Sequence, residues 1–365
     1  MRVVICGAGV VGACTAYFLS LRGIEVVVVE RTGVACAASG KAGGFLALDW
    51  CDGSPLGSLA RRSFALHAEL AARFPGAWDY RRLDTLAVAA SPRRRLGGQR
   101  VDWLAEGAVL RGRLGTPETT AQVHPAKFTR AMLDAAIAGG ACLHQGRVTD
   151  LAFTPGGSGV TGAIVDGATL AADAVLIAMG PWTAEAARWL PLPAVYGLKS
   201  DSLVLGTEAP LPGCAIFAEV EGADGEAHAP ELFTRPDGTT YFCGLSSEDP
   251  VPDDPAAVAP DPDAEPRLRA IAAALSPSLA AAPVLAVQAC HRPVTRDGLP
   301  LIGGVPGTKG AYVATGHGPW GILNAPATGE AVAAMIATGD PGPVDLRPFD
   351  PARLRPASGR VAPRP

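Results

Sequence analysis

The sequence predicts an α/β protein in which a parallel sheet flanked by helices carries an inserted antiparallel-sheet, α+β domain. Three observations predict it. Residues 1–30 read as strand, glycine turn, helix and strand; two further apolar strands, 172–178 and 311–315, each run into a turn and a helix; and between them lie several alternating stretches joined by acidic and glycine turns.

The opening unit is the most informative. Residues 2–6 (RVVIC) form a short apolar run suited to a buried parallel strand, and Gly7, Gly9 and Gly12 follow at GxGxxG spacing. In such a unit the first glycine permits a tight turn. The second lets the backbone approach a pyrophosphate, and the third lets helix and strand pack closely, so the helix N-terminus offers N–H groups to the phosphates. Glu30 closes the second strand, where a carboxylate accepts hydrogen bonds from a ribose and argues against a 2′-phosphate, although Arg31 is adjacent. This is a Rossmann-type dinucleotide-binding signature. A chain with 44 Gly in 365 residues is expected to contain roughly 0.6 such spacings by chance, so the strand and helix context carries the assignment. Gly157, Gly159 and Gly162 repeat the spacing, but between two alternating stretches, where a hairpin is the better reading.

The stretch ASGKAGGF at 38–45 follows, rich enough in small residues to run beside a cofactor. A helix is expected at 58–74, a strand at 80–90, and irregular Gly- and Arg-rich chain to 115. Next come a helix at 126–137, a strand at 141–144, a hairpin from 147–153 and 160–165, a strand at 172–178 and a helix at 183–189. Strands at 195–205, 215–220, 231–235 and 239–245 would form the inserted sheet, followed by a Pro/Asp loop at 250–262, a helix at 267–275 and a return to strand composition near residue 284. Residues 311–315 read as a strand, 316–321 as a turn with Gly316, Gly318 and Gly321, and 322–336 as a helix kinked at Pro326. The prolines of 347–365 suggest a poorly ordered tail. The resulting division is 1–78, 123–191 and 288–346 for the cofactor domain, with 79–122 and 192–287 for the substrate domain.

Composition excludes several classes. Net charge is −4, with 31 Lys and Arg against 35 Asp and Glu, and no basic stripe offers itself to nucleic acid; Arg93–Arg95 read as a solvated loop. The eight cysteines show no CxxC pair and no zinc spacing, so neither metal nor disulfide is expected. No apolar run is long enough to cross a membrane and no signal peptide is recognisable, which favours a cytoplasmic protein.

With these segments in place, the chain resembles the D-amino-acid oxidase superfamily of FAD-dependent oxidoreductases, which includes glycine oxidase and sarcosine oxidase. The resemblance covers nearly the whole chain. It rests on VVICGAGVVG with Glu30, on ASGKAGGF, on VLIAMGPWT at 175–183, and on HRPVTRDGLPLIGG through TGHGPWGILNAPATGEAV at 291–332. It implies FAD, and the absence of a second strand-GxGxxG-helix unit in mid-chain independently disfavours a nicotinamide. The implied cofactor contacts are Gly7, Gly9, Val10, Val11, Gly12, Glu30 and Arg31; Ser39, Gly40, Lys41, Ala42, Gly43 and Gly44; Val148 at the adenine; Gly180 and Trp182; and Gly303. Gly316, His317, Gly318, Gly321 and Ile322 complete the set, at a helix N-terminus that would stabilise negative charge on the reduced flavin.

Arg292 matches by position the arginine that holds a substrate carboxylate, and its planar fork suits that task. Lys199 matches a strand that approaches the flavin in relatives, although Ser200-Asp201 departs from their Gly-His. No certain catalytic acid or base is present; His317 and Lys199 are the candidates. The implied reaction is oxidation of a C–N bond in a small amine or amino acid by hydride transfer to flavin N5, giving an imine that hydrolyses, with O2 as an admissible acceptor. Oxidation of a 2-hydroxy acid and a non-enzymatic flavin-binding adaptor are the alternatives.

Overall fold

The computed structural model describes residues 1–207, 213–222 and 225–357. Its first sheet has six strands in the order Leu301–Gly304, Ala311–Thr315, Ala174–Ile177, Arg2–Cys6, Glu25–Glu30 and Cys142–Gln145. All pairings are parallel except that of the outer strand Leu301–Gly304. Alternation along the central strand explains the layers. Val3 and Ile5 face a core shared with helices Val10–Ser20, Gly57–Arg73, Pro125–Ala138 and Gly321–Thr338, whereas Val4 and Cys6 face Leu151, Val160, Ala163 and Val165 of a three-stranded antiparallel sheet. The hairpin at Gly157 belongs to that small sheet.

Pro326 lies inside the helix Gly321–Thr338 and cannot donate to the carbonyl four residues earlier. His67, fully buried on the neighbouring helix, supplies the missing donor: its Nε2 lies 3.0 Å from the Ile322 carbonyl oxygen. We expect His67→Leu to cost about 1–3 kcal/mol by orphaning that carbonyl. In a Pro326→Ala background, where the amide of residue 326 can take over, the loss should largely vanish. Urea unfolding of the four proteins measures this, and equal losses in both backgrounds would assign the effect to packing alone.

The second large sheet runs in the order Val284–Thr295, Val195–Gly206, Thr239–Ser247, Glu231–Thr234, Ala215–Glu221, Thr85–Ala90 and Ala108–Gly115, with Ala227–His228 beside Ala215–Glu221. Its pairings are antiparallel except Ala215–Glu221 with Thr85–Ala90, which is parallel. One face packs Leu203, Leu205, Ile216, Leu232 and Phe242 against Leu268, Ile271 and Leu275 of the helix Ala264–Leu275. The other face turns toward the first sheet.

Three expectations are corrected. Residues 108–115 form a strand rather than irregular chain, because Thr85–Ala90 pairs with them and the exposed arginines only mask an apolar start at Ala108 and Val109. The helix expected at 183–189 is the short segment Thr183–Ala186 after a tight turn at Gly180–Trp182. The proline-rich end is not loose as far as residue 357: Phe349 is fully buried, and Arg353 binds Asp297, whose carboxyl is held down at about 2 by that guanidinium. The rest of the expected tail, 358–365, lies outside the described residues.

Candidate active site

A deep cleft runs from the carboxyl ends of the parallel strands to the inward face of the large sheet, enclosing roughly 1500 Å³ including solvent at its mouth. Gly7, Glu30, Gly146, Ala178 and Thr315 line it at the ends of five strands, the place where open parallel sheets bind ligands. At Gly7 the backbone adopts φ +110°, and a Cβ there would lie 2.5 Å from the Ala178 carbonyl oxygen. Only glycine fits that turn. Gly9, Val10 and Val11 line the cleft at the start of the first helix, and Ser39 joins them, its Oγ accepting from the Val10 amide at 2.9 Å.

Glu30 is held in place by backbone donors, accepting from the amides of Ala8 at 2.9 Å and Thr32 at 2.8 Å. Arg31 pairs with Glu185 at 3.0 Å and lies over the Trp182 ring, while its buried Nη2 has no partner. Ala42, Gly43, Val148, Gly180 and Trp182 also line the cleft, as do His317, Gly318, Gly321 and Ile322.

Other residues singled out from the sequence do not reach it. Gly12 packs under Gly7, Gly40 against Ala35, and Gly44 against Val123; Gly303 packs against Pro351 and Gly316 against Thr295. Lys41 instead donates to the Ala289 carbonyl at 2.9 Å, tying the 38–41 turn to the large sheet. Lys199 is also absent from the cleft: strand alternation turns Ser200 inward and Lys199 outward, where its buried ammonium binds Asp261 and, at 3.1 Å, Asp249. It thereby pins both ends of the Pro/Asp loop. That loop reaches the cleft, with Pro255 lining it and the Pro252 carbonyl accepting from the Trp182 indole at 2.7 Å.

The inward face of the large sheet adds Ser200, Glu231, Tyr241, Cys243, Cys290 and Arg292. The Arg292 Nη2 donates to Ser200 Oγ at 2.9 Å. Glu231, Tyr241, Cys243 and Cys290 were not anticipated; their strands alternate legibly, but alternation alone does not say which face meets a ligand. Burial pushes the Cys243 thiol up to about 12 and raises Cys290 and Tyr241 as well, so none of the three is ionised at neutral pH.

His317 is buried, with Nε2 3.0 Å from Thr328 Oγ1, and desolvation pushes it down to about 4. His67 and His124 are likewise pushed down to about 4, chiefly by burial. Each is neutral when folded and takes a proton when unfolded below its ordinary value of 6.5. Stability is therefore full above pH 6.5 and declines as pH falls toward 4. Unfolding free energies measured at pH 7.5, 6 and 5 should fall in that order; a flat series would contradict the assignment.

Residues 2–335 match the model of the family described as DAO, FAD dependent oxidoreductase. The chain belongs to this family. The glycine oxidase of Geobacillus kaustophilus is 29% identical over 96% of this chain and 97% of that protein. A crystal structure of glycine oxidase from the same species superposes with a TM-score of 0.82 at 27% identity, covering 97% of this chain and 99% of that one. An oxidoreductase of Schizosaccharomyces pombe is 30% identical over 96% and 97%, and a D-amino acid dehydrogenase of Xylella fastidiosa 27% identical over 92% of each chain.

As a DAO-family member the protein is an FAD-dependent oxidoreductase related to amino acid oxidases. The residues present fit the cofactor. The glycine cradle at Gly7 and Gly9, the backbone-held Glu30 and the unpartnered Arg31 nitrogen suit a dinucleotide, and Gly318 to Ile322 place a helix N-terminus at the same cleft. Among the described residues there is no cluster suited to a metal ion, and no helix is long and apolar enough to cross a membrane.

Proposed function

We propose that this DAO-family enzyme oxidises the C–N bond of a small amino acid whose carboxylate is held by Arg292. The observation that carries the reading is Arg292 itself: it lines the cleft that also receives the helix N-terminus at Gly321, and no carboxylate among the described residues forms an ion pair with it. Bound FAD supplies the two-electron oxidation, after which water hydrolyses the imine. The protein's share is to bind and orient. Arg292, steadied by Ser200, offers a two-pronged anchor, while the neutral His317 buttresses the loop ahead of the helix through Thr328. Pro255 of the Pro/Asp loop adds to the lining of the cleft.

The experiment is an anaerobic reduction of the purified flavoprotein with glycine, sarcosine, D- and L-amino acids and 2-hydroxy acids, following loss of the oxidised-flavin band. Bleaching by an amino acid supports the proposal, and readmitted air tests O2 as acceptor. Bleaching by hydroxy acids alone would overturn it.

A further inference from the structure

Building on that reading of Arg292, we infer that Glu231 receives the cationic amine of the substrate and so selects amino acids over hydroxy acids. The register of the large sheet places Glu231 opposite Cys243 on one neighbouring strand and opposite Phe217 on the other. It therefore shares the inward face with Tyr241 and Cys243 and lines the cleft together with Arg292. The remaining charged side chains that line the cleft, Glu30, Arg31 and Arg147, stand at or just beyond the ends of the parallel strands. At the large-sheet end, Arg292 and Glu231 are the opposed pair.

Glu231 is poorly satisfied by the protein. Among the described residues its carboxylate forms no ion pair, and its one side-chain hydrogen-bond partner is the Cys243 thiol, at 4.0 Å. A half-buried carboxylate with so weak a donor gains from a ligand that brings N–H groups and positive charge. Burial raises its pKa, the Arg292 charge opposes that rise, and the two groups thus interact without touching. The surroundings sharpen the preference. Phe217, the cross-strand neighbour of Glu231, meets Phe45 at 5.0 Å and Phe233 at 5.8 Å, and Trp50 lies 4.8 Å from Phe217, so apolar rings flank the carboxylate on that side and strengthen its pull on a positive charge.

An amino acid carries its two charges one carbon apart and can meet both groups at once. A 2-hydroxy acid on Arg292 brings a second negative charge toward Glu231 and nothing to offset it.

The test uses two non-oxidisable acids of nearly the same shape, 2-aminoisobutyrate and 2-hydroxyisobutyrate, neither of which has an α-hydrogen. Their affinities for the FAD-loaded protein are measured by calorimetry. The wild type should bind the amino acid at least tenfold more tightly, and Glu231→Gln, checked for retained FAD, should bring the ratio near one. A wild-type ratio of one or below overturns the inference even if the variant does not fold, and so does a ratio unchanged in Glu231→Gln. Arg292→Ala separates the two readings. Loss of both acids in Arg292→Ala supports the carboxylate anchor whatever the ratio, whereas unchanged binding of both overturns that anchor. Failure of the amino acid to bind the wild type overturns both readings, whereas failure of the hydroxy acid alone is the limit of the expected selectivity.

Discussion

Arg292→Ala is expected to raise KM for an amino-acid substrate by about thirtyfold to a few thousandfold, the equivalent of about 2–5 kcal/mol for removing one partner of a desolvated charge pair. The size follows from the position of the guanidinium. It lines the cleft, its Nη2 donates to Ser200 Oγ, and no carboxylate among the described residues forms an ion pair with it. Arg292→Lys should recover only part of the loss, because an ammonium keeps the charge but not the two-pronged geometry. FAD content should stay at the wild-type level in both, since the cradle at Gly7 and Glu30 stands at the ends of the parallel strands whereas Arg292 stands on the large sheet. Steady-state kinetics with the amino acid that best bleaches the flavin measures the effect, and an unchanged KM would remove Arg292 from the substrate site.

Gly7→Ala should abolish FAD retention and lower stability, for two reasons that add. Alanine would be forced to φ +110°, which costs about 1–3 kcal/mol. Its Cβ would also press against the Ala178 carbonyl, 2.5 Å from the oxygen, where the neighbour is backbone of the central sheet and cannot swing aside. The first helix also has its closest approach here, because Gly12 sits directly under the Gly7 carbonyl. Gly23→Ala is the matched control. Gly23 has φ +67° but no atom within 4 Å of an added Cβ, so it carries backbone strain alone. The flavin-to-protein absorbance ratio and urea unfolding of the two variants separate these contributions; a fully flavinated, undiminished Gly7→Ala protein would contradict the argument.

The parallel-sheet elements were readable because each is announced locally. RVVIC, the glycine turn and the run ending at Glu30 need no distant residue to declare their form, and Gly7 and Glu30 line the cleft as the spacing suggests. Other features depend on chain far away. Residues 108–115 look irregular until Thr85–Ala90 lies beside them. Lys199 and Ser200 differ by one position and therefore by the whole thickness of a sheet, and nothing local says which side faces the cleft. Glu231 and Cys243 are brought together by strand register across a turn, so neither residue marks a site by itself. Gly40 and Gly44 fit a cofactor loop by composition, and Gly303 and Gly316 by resemblance, yet the first two make room for the carbonyls of Ala35 and Val123 and the last two for the side chains of Pro351 and Thr295.

The order in which the strands arrive has a consequence for how the enzyme acquires its cofactor. The parallel sheet takes Ala311–Thr315 between two other strands, the large sheet is completed by Val284–Thr295 along the length of Val195–Gly206, and the last long helix packs onto the first. A nascent chain emerging as far as residue 280 already holds the Gly7 turn but neither Arg292 nor the helix at Gly321. Closure of both layers is thus a late, long-range event, of the kind that folds slowly. FAD bears on this final step by mass action, adding about 4 kcal/mol to the closed state at a thousand times its Kd. Bound FAD therefore secures the contacts that the chain makes last.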